Sequence, residues 1–390
     1  MTIRDRAFIV GAYEHPGREL PDRSVAQIHA DVAAGALADA GLGFADVDAY
    51  FCAGDSPGFG PLSMVEYLGL RCSHVDSTET GGSSYVVHVG HAAAAIAAGK
   101  CKVALITLGG KPRTGGMAPG GAGRIGNAPE SNFERSWGIP GAVGGYALAA
   151  QRHMYEFGTT SAQLAEIKVA ASIHAQHNPD AFLPRAVTVE EVLESPMVAD
   201  PLRRMDCCVV TDGGGALAVV APEVARDLGR RGAKVLGHGE APKHADNGRI
   251  DLTYSGAVWS GPRAFEEAGV GLEDIDYASI YDSFTITVLM TLEDLGFCPK
   301  GKGGDFVLDG ALVAPDGRLP FNTDGGGLCN NHPANRGGMT KVIEAVRQLR
   351  GEAHPAVQVR DCEIALVHGT GGSLGTRMGS ATLILGQEGS

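Results

Sequence analysis

Short apolar runs alternate along this chain with stretches of helical period, and that alternation predicts an α/β protein with a mostly parallel sheet covered by helices. Ala7-Phe-Ile-Val-Gly-Ala-Tyr reads as a first buried strand. Asp22-Arg-Ser then opens an amphipathic helix with apolar residues at Val25, Ile28, Val32, Ala33 and Leu37, stopped near Gly41. Val47-Asp-Ala-Tyr-Phe-Cys-Ala is the next strand. From Val75 the theme repeats more sharply: a hydroxyl-rich turn (Asp76 to Ser84), a run of small apolar residues broken only by His88 and His91 up to Gly99, then the strand Val103-Ala-Leu-Ile-Thr-Leu. A helix that is apolar nearly all round is buried on all sides. Its exposed N–H groups and positive dipole end face whatever occupies the turn before it, so that turn either holds a nucleophile or oxyanion site or merely caps a packing helix.

Residues 109–140 have no period and are rich in Gly, Pro and Asn, which marks a functional or interface loop. Helical stretches follow at 142–157, from Ser161 as cap, and from Val187. Cys207-Cys-Val-Val-Thr-Asp-Gly-Gly-Gly-Ala-Leu-Ala-Val-Val turns into another buried strand, and a half-chain unit closes near Ala221-Pro222. The order then restarts: a strand at Lys234, a helix from Gly261 to Ala268, the strand Ile275 to Phe284, a helix from Thr340 to Arg350, and last strands at Glu363 and Ala381. The two halves share an order of elements without a residue-level repeat, which predicts a pseudo-symmetric protein with its site between the halves.

Composition narrows the function. The 390 residues carry a formal charge of −13 with unclustered Lys and Arg, so neither nucleic acid nor an anionic membrane is an expected partner. The apolar run at 85–98 is too short to span a bilayer. Eight scattered cysteines and no leader-like start predict reduced thiols in a cytoplasmic protein, with no metal-knuckle spacing. The 57 glycines come in local clusters (Gly115-Gly116, Gly120-Gly121, Gly213 to Gly215, Gly325 to Gly327, Gly371-Gly372), where backbone can approach backbone or ligand closely. No dinucleotide or phosphate-loop fingerprint is present, since Gly120-Gly-Ala-Gly has no strand before it.

The turn near residue 80, Tyr281-Asp-Ser-Phe, Gly325-Gly-Gly with Asn330-Asn-His-Pro, and His368-Gly-Thr-Gly-Gly, in that order, resemble the thiolase superfamily. Asp206-Cys-Cys-Val-Val-Thr-Asp and Leu292-Glu-Asp-Leu-Gly-Phe-Cys are similar to its sterol-carrier/lipid-transfer branch, so the resemblance covers essentially the whole chain. It implies the thiolase fold, α/β with two pseudo-symmetric αβαβα halves and buried central helices: residues 1–222, with a loop and cap region at about 109–205, and residues 223–390. Matching Gly81-Gly82 to the family's glycines puts Thr78 where a thiolase has its nucleophilic cysteine. His332 falls on the family's catalytic histidine, Tyr281 on the residue that orients the oxyanion water, and His368 near the second, acid/base cysteine. Cys329 is a rival thiol. Glu79, Gly81, Asp282, Gly326, Gly371 and Gly372 are the implied lining positions.

The resemblance further implies action on C–C bonds of acyl-CoA thioesters, by retro-aldol or retro-Claisen cleavage without the usual cysteine, with coenzyme A as part of the substrate and no other bound cofactor. Aldolases of the branch carry a tyrosine in their Gly-Gly-Leu turn; this chain continues Asn-Asn-His-Pro instead. An acyltransferase using Cys329 and a silent acyl-CoA- or lipid-binding subunit are the alternatives. A homodimer and a small zinc-ribbon/OB-fold partner subunit are the implied assembly.

Overall fold

The computed structural model describes residues 2–117, 137–139, 141–244, 249–333, 337–372 and 378–388. Most of the irregular segment expected at 109–140, and the tip of the glycine-rich hairpin near 370, therefore lie outside the described residues. The strands are β1 (Phe8–Glu14), β2 (Ala49–Phe51), β3 (His74–Asp76), β4 (Val103–Gly110), β5 (Met197–Ala199), β6 (Leu202–Arg203), β7 (Gly213–Val220), β8 (Ala233–Pro242), β9 (Tyr277–Ile280), β10 (Ile364–Gly372) and β11 (Met378–Gln387). Helices of eight residues or more are α1 (Val25–Ala40), α2 (Pro61–Leu68), α3 (Ser84–Ala97), α4 (Gly141–Phe157), α5 (Ser161–Ala175), α6 (Ala257–Ala268), α7 (Thr285–Leu295) and α8 (Gly338–Arg350).

Among the described residues one sheet runs β3-β2-β4-β7-β1-β8-β11-β10-β9. Reading outward from the β1/β8 pair gives β1-β7-β4-β2-β3 on one side and β8-β11-β10-β9 on the other, where a bridge from Ala278 to Phe321 stands in for the missing fifth strand. This is the two-fold repetition the element order predicts. The crossovers through helices yield parallel pairs (β2 with β3 and β4, β9 with β10), whereas the β4–β7, β7–β1, β1–β8, β8–β11 and β11–β10 pairs are antiparallel. The sheet is therefore mixed, because the last strand of each half inserts antiparallel between its first strand and its crossover strands.

Helices α3 and α8 lie between the two half-sheets, sharing one core with residues of β1, β4, β7, β8, β10 and β11. The outer face of the first half is covered by α1 and α2. That of the second is covered by α4, α5, α6 and α7. The result is five layers, αβαβα. The glycine-and-alanine surface of α3 makes its central place sterically feasible: a side chain at Gly90 would collide with the ring of His238 on β8. Local signals fix the ends of the outer helices. Ser24 and Gln27 form a reciprocal capping box on α1, which ends at Gly41 in the left-handed region (φ 72°). On α5 the cap is Thr160 rather than Ser161, because the Thr160 hydroxyl accepts from the Gln163 N–H and Gln163 reaches back.

Candidate active site

Strand β9 is buried along its whole length and delivers Tyr281 and Asp282 at its end. The Tyr281 N–H donates to the His368 carbonyl (2.8 Å), so the ladder with β10 extends one residue past the strand. Asn322 brackets Ile280 from the other side, its amide exchanging both backbone hydrogen bonds at 2.8 Å. Next comes the turn after β9's neighbour: Gly325 and Gly326 both take positive φ (95° and 62°), which lets the chain reverse into one helical turn, Gly326–Cys329. Asp282 holds that turn, accepting from the N–H groups of Gly327 (2.8 Å) and Leu328 (3.1 Å). The chain then reaches His332, whose N–H donates to Thr211 Oγ1 (2.9 Å) while Thr211 donates to Asn331 (2.6 Å).

These segments bring the His332 Nε2 and the Tyr281 hydroxyl to 2.8 Å, with the rings 5.4 Å apart at 61°. Both residues are buried, at 3% and 4% exposure. Burial pulls His332 down to about 4, with Asp282 opposing and Lys341 adding to the shift. Burial also raises the Tyr281 phenol well above its usual range. At neutral pH the pair is thus a neutral imidazole beside a protonated phenol. Among the described residues His332 Nδ1 has no hydrogen-bond partner.

Glycines wall the pair. A Cβ at Gly82, in the turn that opens α3, would lie 2.5 Å from the Tyr281 ring, and one at Gly337 would lie 3.1 Å from Tyr281 and 3.2 Å from His332. Gly81 (φ 66°) packs on Gly371 and Gly372, where added Cβ atoms have no room. Four glycine-bearing segments, at 81–82, 326–327, 337–338 and 369–372, therefore converge on Tyr281 and His332. The Tyr281–His332 pair lies beside the turn that opens α3.

Tyr281, His332, Asp282, Gly81, Gly326, Gly371 and Gly372 are brought together. The other expected positions are elsewhere. Thr78 donates to Asp76 (2.8 Å) beside His91, and lines a separate cavity of about 170 Å3 with Thr80, Val87 and Glu240. It is Gly82, not Thr78, that abuts the Tyr281 ring. Glu79 accepts from Gly54 N–H (2.7 Å) and Gly81 N–H (2.8 Å), bracing the turn. The His368 ring faces the other side of β10, bonded to Thr382 Oγ1 (2.9 Å), and burial pulls it down to about 3; its carbonyl is what meets Tyr281. Cys329 is fully buried, with its sulfur 3.1 Å from Lys168 Nζ, and burial pushes the thiol up despite that cation.

Several residues that build the site have no local signature. Thr211 arrives on the strap 207–211, Glu14 from β1 accepts from the amides of Asn330 (3.2 Å) and Asn331 (2.8 Å), and Asp324 accepts from Asn330 (3.0 Å) and Gly326 N–H (2.9 Å). Lys341 from α8 pairs with Asp282. Only the fold brings such distant positions together. Among the described residues no group of three His, Cys, Asp or Glu side chains could hold a metal ion, and no helix is long and apolar enough to cross a membrane.

Residues 239–387 match the family "Thiolase C-terminal domain-like". An acetyl-CoA acetyltransferase of Methanothermobacter thermautotrophicus is 34% identical, with 96% of this chain and 98% of the relative aligned. A steroid side-chain-cleaving aldolase of Thermomonospora curvata is 33% identical, over 94% of both chains. The solved Ltp2-ChsH2(DUF35) aldolase superposes with a TM-score of 0.89 at 30% identity, covering 100% of this chain and 99% of that one.

Proposed function

Since this chain belongs to the thiolase superfamily, in the sterol-carrier-type branch that includes the steroid side-chain-cleaving aldolase, and is an enzyme of that superfamily's C–C bond chemistry, we propose that it cleaves a β-hydroxyacyl-CoA by a retro-aldol reaction. The observation that carries this reading is the buried Tyr281–His332 hydrogen bond, walled by Gly82, with Thr78 and Cys329 both turned away from it. That arrangement handles a proton and supplies no thiolate from either candidate position.

The chemistry balances without a covalent carrier. The proton of the β-hydroxyl passes to the Tyr281–His332 pair as its oxygen becomes the carbonyl of the departing product. The Cα–Cβ bond breaks, and its electron pair becomes the thioester enolate. The same proton, returned to Cα, completes the shortened acyl-CoA. A neutral His332 accepts the proton, and the imidazolium so formed is favoured by Asp282. Retro-Claisen acyl transfer is the second reading, supported by the acetyltransferase relative, but it needs a thiolate, and Cys329 is sealed against Lys168.

The reading extends to the assembly. A small OB-fold/zinc-ribbon partner is supported by the Ltp2-ChsH2(DUF35) neighbour. A homodimer is supported by β3 standing at the sheet edge among the described residues and by the exposed Phe59, Leu62 and Tyr67 on and before α2. The test is an assay on a β-hydroxyacyl-CoA and a β-ketoacyl-CoA, for the protein alone and with its genomic neighbour. The expected result is carbonyl release without added CoA, lost in His332→Ala. Thiolysis that depends on added CoA and stops on Cys329 alkylation overturns it in favour of acyl transfer. Binding of both esters with turnover of neither overturns it in favour of a silent subunit.

A further inference from the structure

A lysine in the middle of a protein needs a reason, and Lys341, on the first turn of α8, is 1% exposed. Its Nζ lies 3.0 Å from Asp282 Oδ1, which is equally buried. Burial works against the charge on Lys341, and Asp282 and Asp324 more than offset it, so its pKa sits above the usual range. Burial pushes Asp324 up, but the ammonium together with the hydrogen bonds from Asn330 and Gly326 and the charge of Arg347 outweighs it, so Asp324 stays below the usual carboxylate range.

The two carboxylates do one mechanical job. Asp282 accepts from the N–H groups of Gly327 and Leu328, and Asp324 accepts from Gly326 N–H and the Asn330 amide. Together they clasp both ends of the turn Gly326–Cys329, three residues before His332. Asp282 also follows Tyr281 directly in the chain. A buried carboxylate without a counter-charge is costly, and Lys341 supplies one at 3.0 Å.

We propose that Lys341 is a positioning residue: its ammonium, 3.0 Å from Asp282, holds that carboxylate where it grips the N–H groups of Gly327 and Leu328, and this keeps His332 at hydrogen-bonding distance from Tyr281. The proposal rests on Tyr281–His332 being the proton-handling pair. Lys168, also buried, seconds it by donating to the Leu328 carbonyl (2.8 Å).

The test compares Lys341→Met, Lys341→Arg and the uncharged pair Lys341→Met/Asp282→Asn in the full-length protein labelled with 15N-histidine. His332 is assigned by the resonance lost in His332→Ala. In Lys341→Met the Nε2 resonance is expected to move to where Tyr281→Phe puts it, with kcat down about 100-fold and KM within about 3-fold. Lys341→Arg is expected to restore the resonance and most of kcat. If Lys341→Met does not fold, the double variant carries the test and is expected to show the same displaced resonance and lowered kcat. A folded variant of either kind with the wild-type resonance and wild-type kcat overturns the proposal. The resonance reads the geometry without turnover: a wild-type protein that cleaves neither substrate class removes the retro-aldol reading, while the spectra still decide whether Lys341 holds His332.

Discussion

At the scale of single residues, the site turns on what Tyr281 and Cys329 each touch. Tyr281→Phe removes one oxygen that is 2.8 Å from His332 Nε2 and leaves that nitrogen buried with no partner among the described residues. A general acid/base contribution of this kind is worth on the order of 10²–10⁴ in rate, so kcat should fall at least about 100-fold with KM nearly unchanged. A Phe variant at full kcat would remove the phenol from the chemistry. Cys329→Ala should leave turnover within about 2-fold, because Lys168 keeps its bond to the Leu328 carbonyl and only one small buried side chain is trimmed. Steady-state kinetics of the two variants side by side separates a proton-handling pair from a relocated thiol. The residues in these tests are legible in the sequence because each sits in a dense local motif. Lys341, Asp324 and Glu14 are not, since their roles arise only when α8, the turn and β1 meet. A lysine within a helical stretch reads as solvated, and nothing local marks it otherwise.

At the scale of elements, the sequence reads well where one period dominates. The apolar run at 85–98 becomes α3, and the capped stretch from Ser24 becomes α1. It reads less well where an apolar run is used as a strap. Cys207-Cys-Val-Val-Thr reads as a turn into the strand that follows, and β7 does begin at Gly213, but where that turn runs is not legible. The preceding residues are drawn off the sheet, with Cys208 N–H donating to the Ser283 carbonyl and Val209 N–H to the Gly327 carbonyl, both at 2.9 Å, and that detour is what carries Thr211 to His332. Elements of the two halves are also tied by charge. His91 on α3 lies 2.7 Å from Asp76 on β3 and 3.3 Å from Glu240 on β8. Its bond to Asp76, then that to Glu240, raises it to about 9. A group raised above its ordinary 6.5 adds stability in full below pH 6.5 and loses it as pH climbs through 9. The contribution of Asp76, which is depressed, is instead lost as pH falls below about 4. For a ring that is 31% exposed, about 1–2 kcal/mol is a reasonable share after solvent screening. Urea unfolding of His91→Ala should show that deficit at pH 6 and almost none at pH 10; an equal deficit at both would mean the ring acts by packing alone.

At the scale of the whole molecule, the layered fold leaves its interior histidines few ways to carry charge. His29, His88, His174, His238 and His332 are each pulled down to about 4 by burial, and His368 to about 3. The folded chain thus refuses protons that the unfolded chain accepts near pH 6.5. By linkage, a group depressed in this way costs stability as pH falls from its unfolded toward its folded pKa, at up to about 1.4 kcal/mol per unit for each ring. Glu344 works in the opposite direction: burial, with Asp324 adding to it, raises it to about 7, so it already holds a proton in the fold below that pH and adds stability until about 4.5. Burial also raises Asp206, Asp294 and Glu166, which act with it, but these four carboxyls do not balance six rings. Against a typical reserve of about 5–15 kcal/mol, the deficit accumulated between pH 6.5 and 4 exceeds what the fold can absorb. The melting temperature should therefore be nearly level from pH 8 to 6.5, then fall steeply, with cooperative unfolding complete before pH 4. Calorimetric scans at half-unit intervals check this, and the slope gives the number of protons taken up. A melting temperature that stays level down to pH 4.5 would show that these rings accept protons in place, and with them that the neutral state assigned to His332 does not follow from its burial.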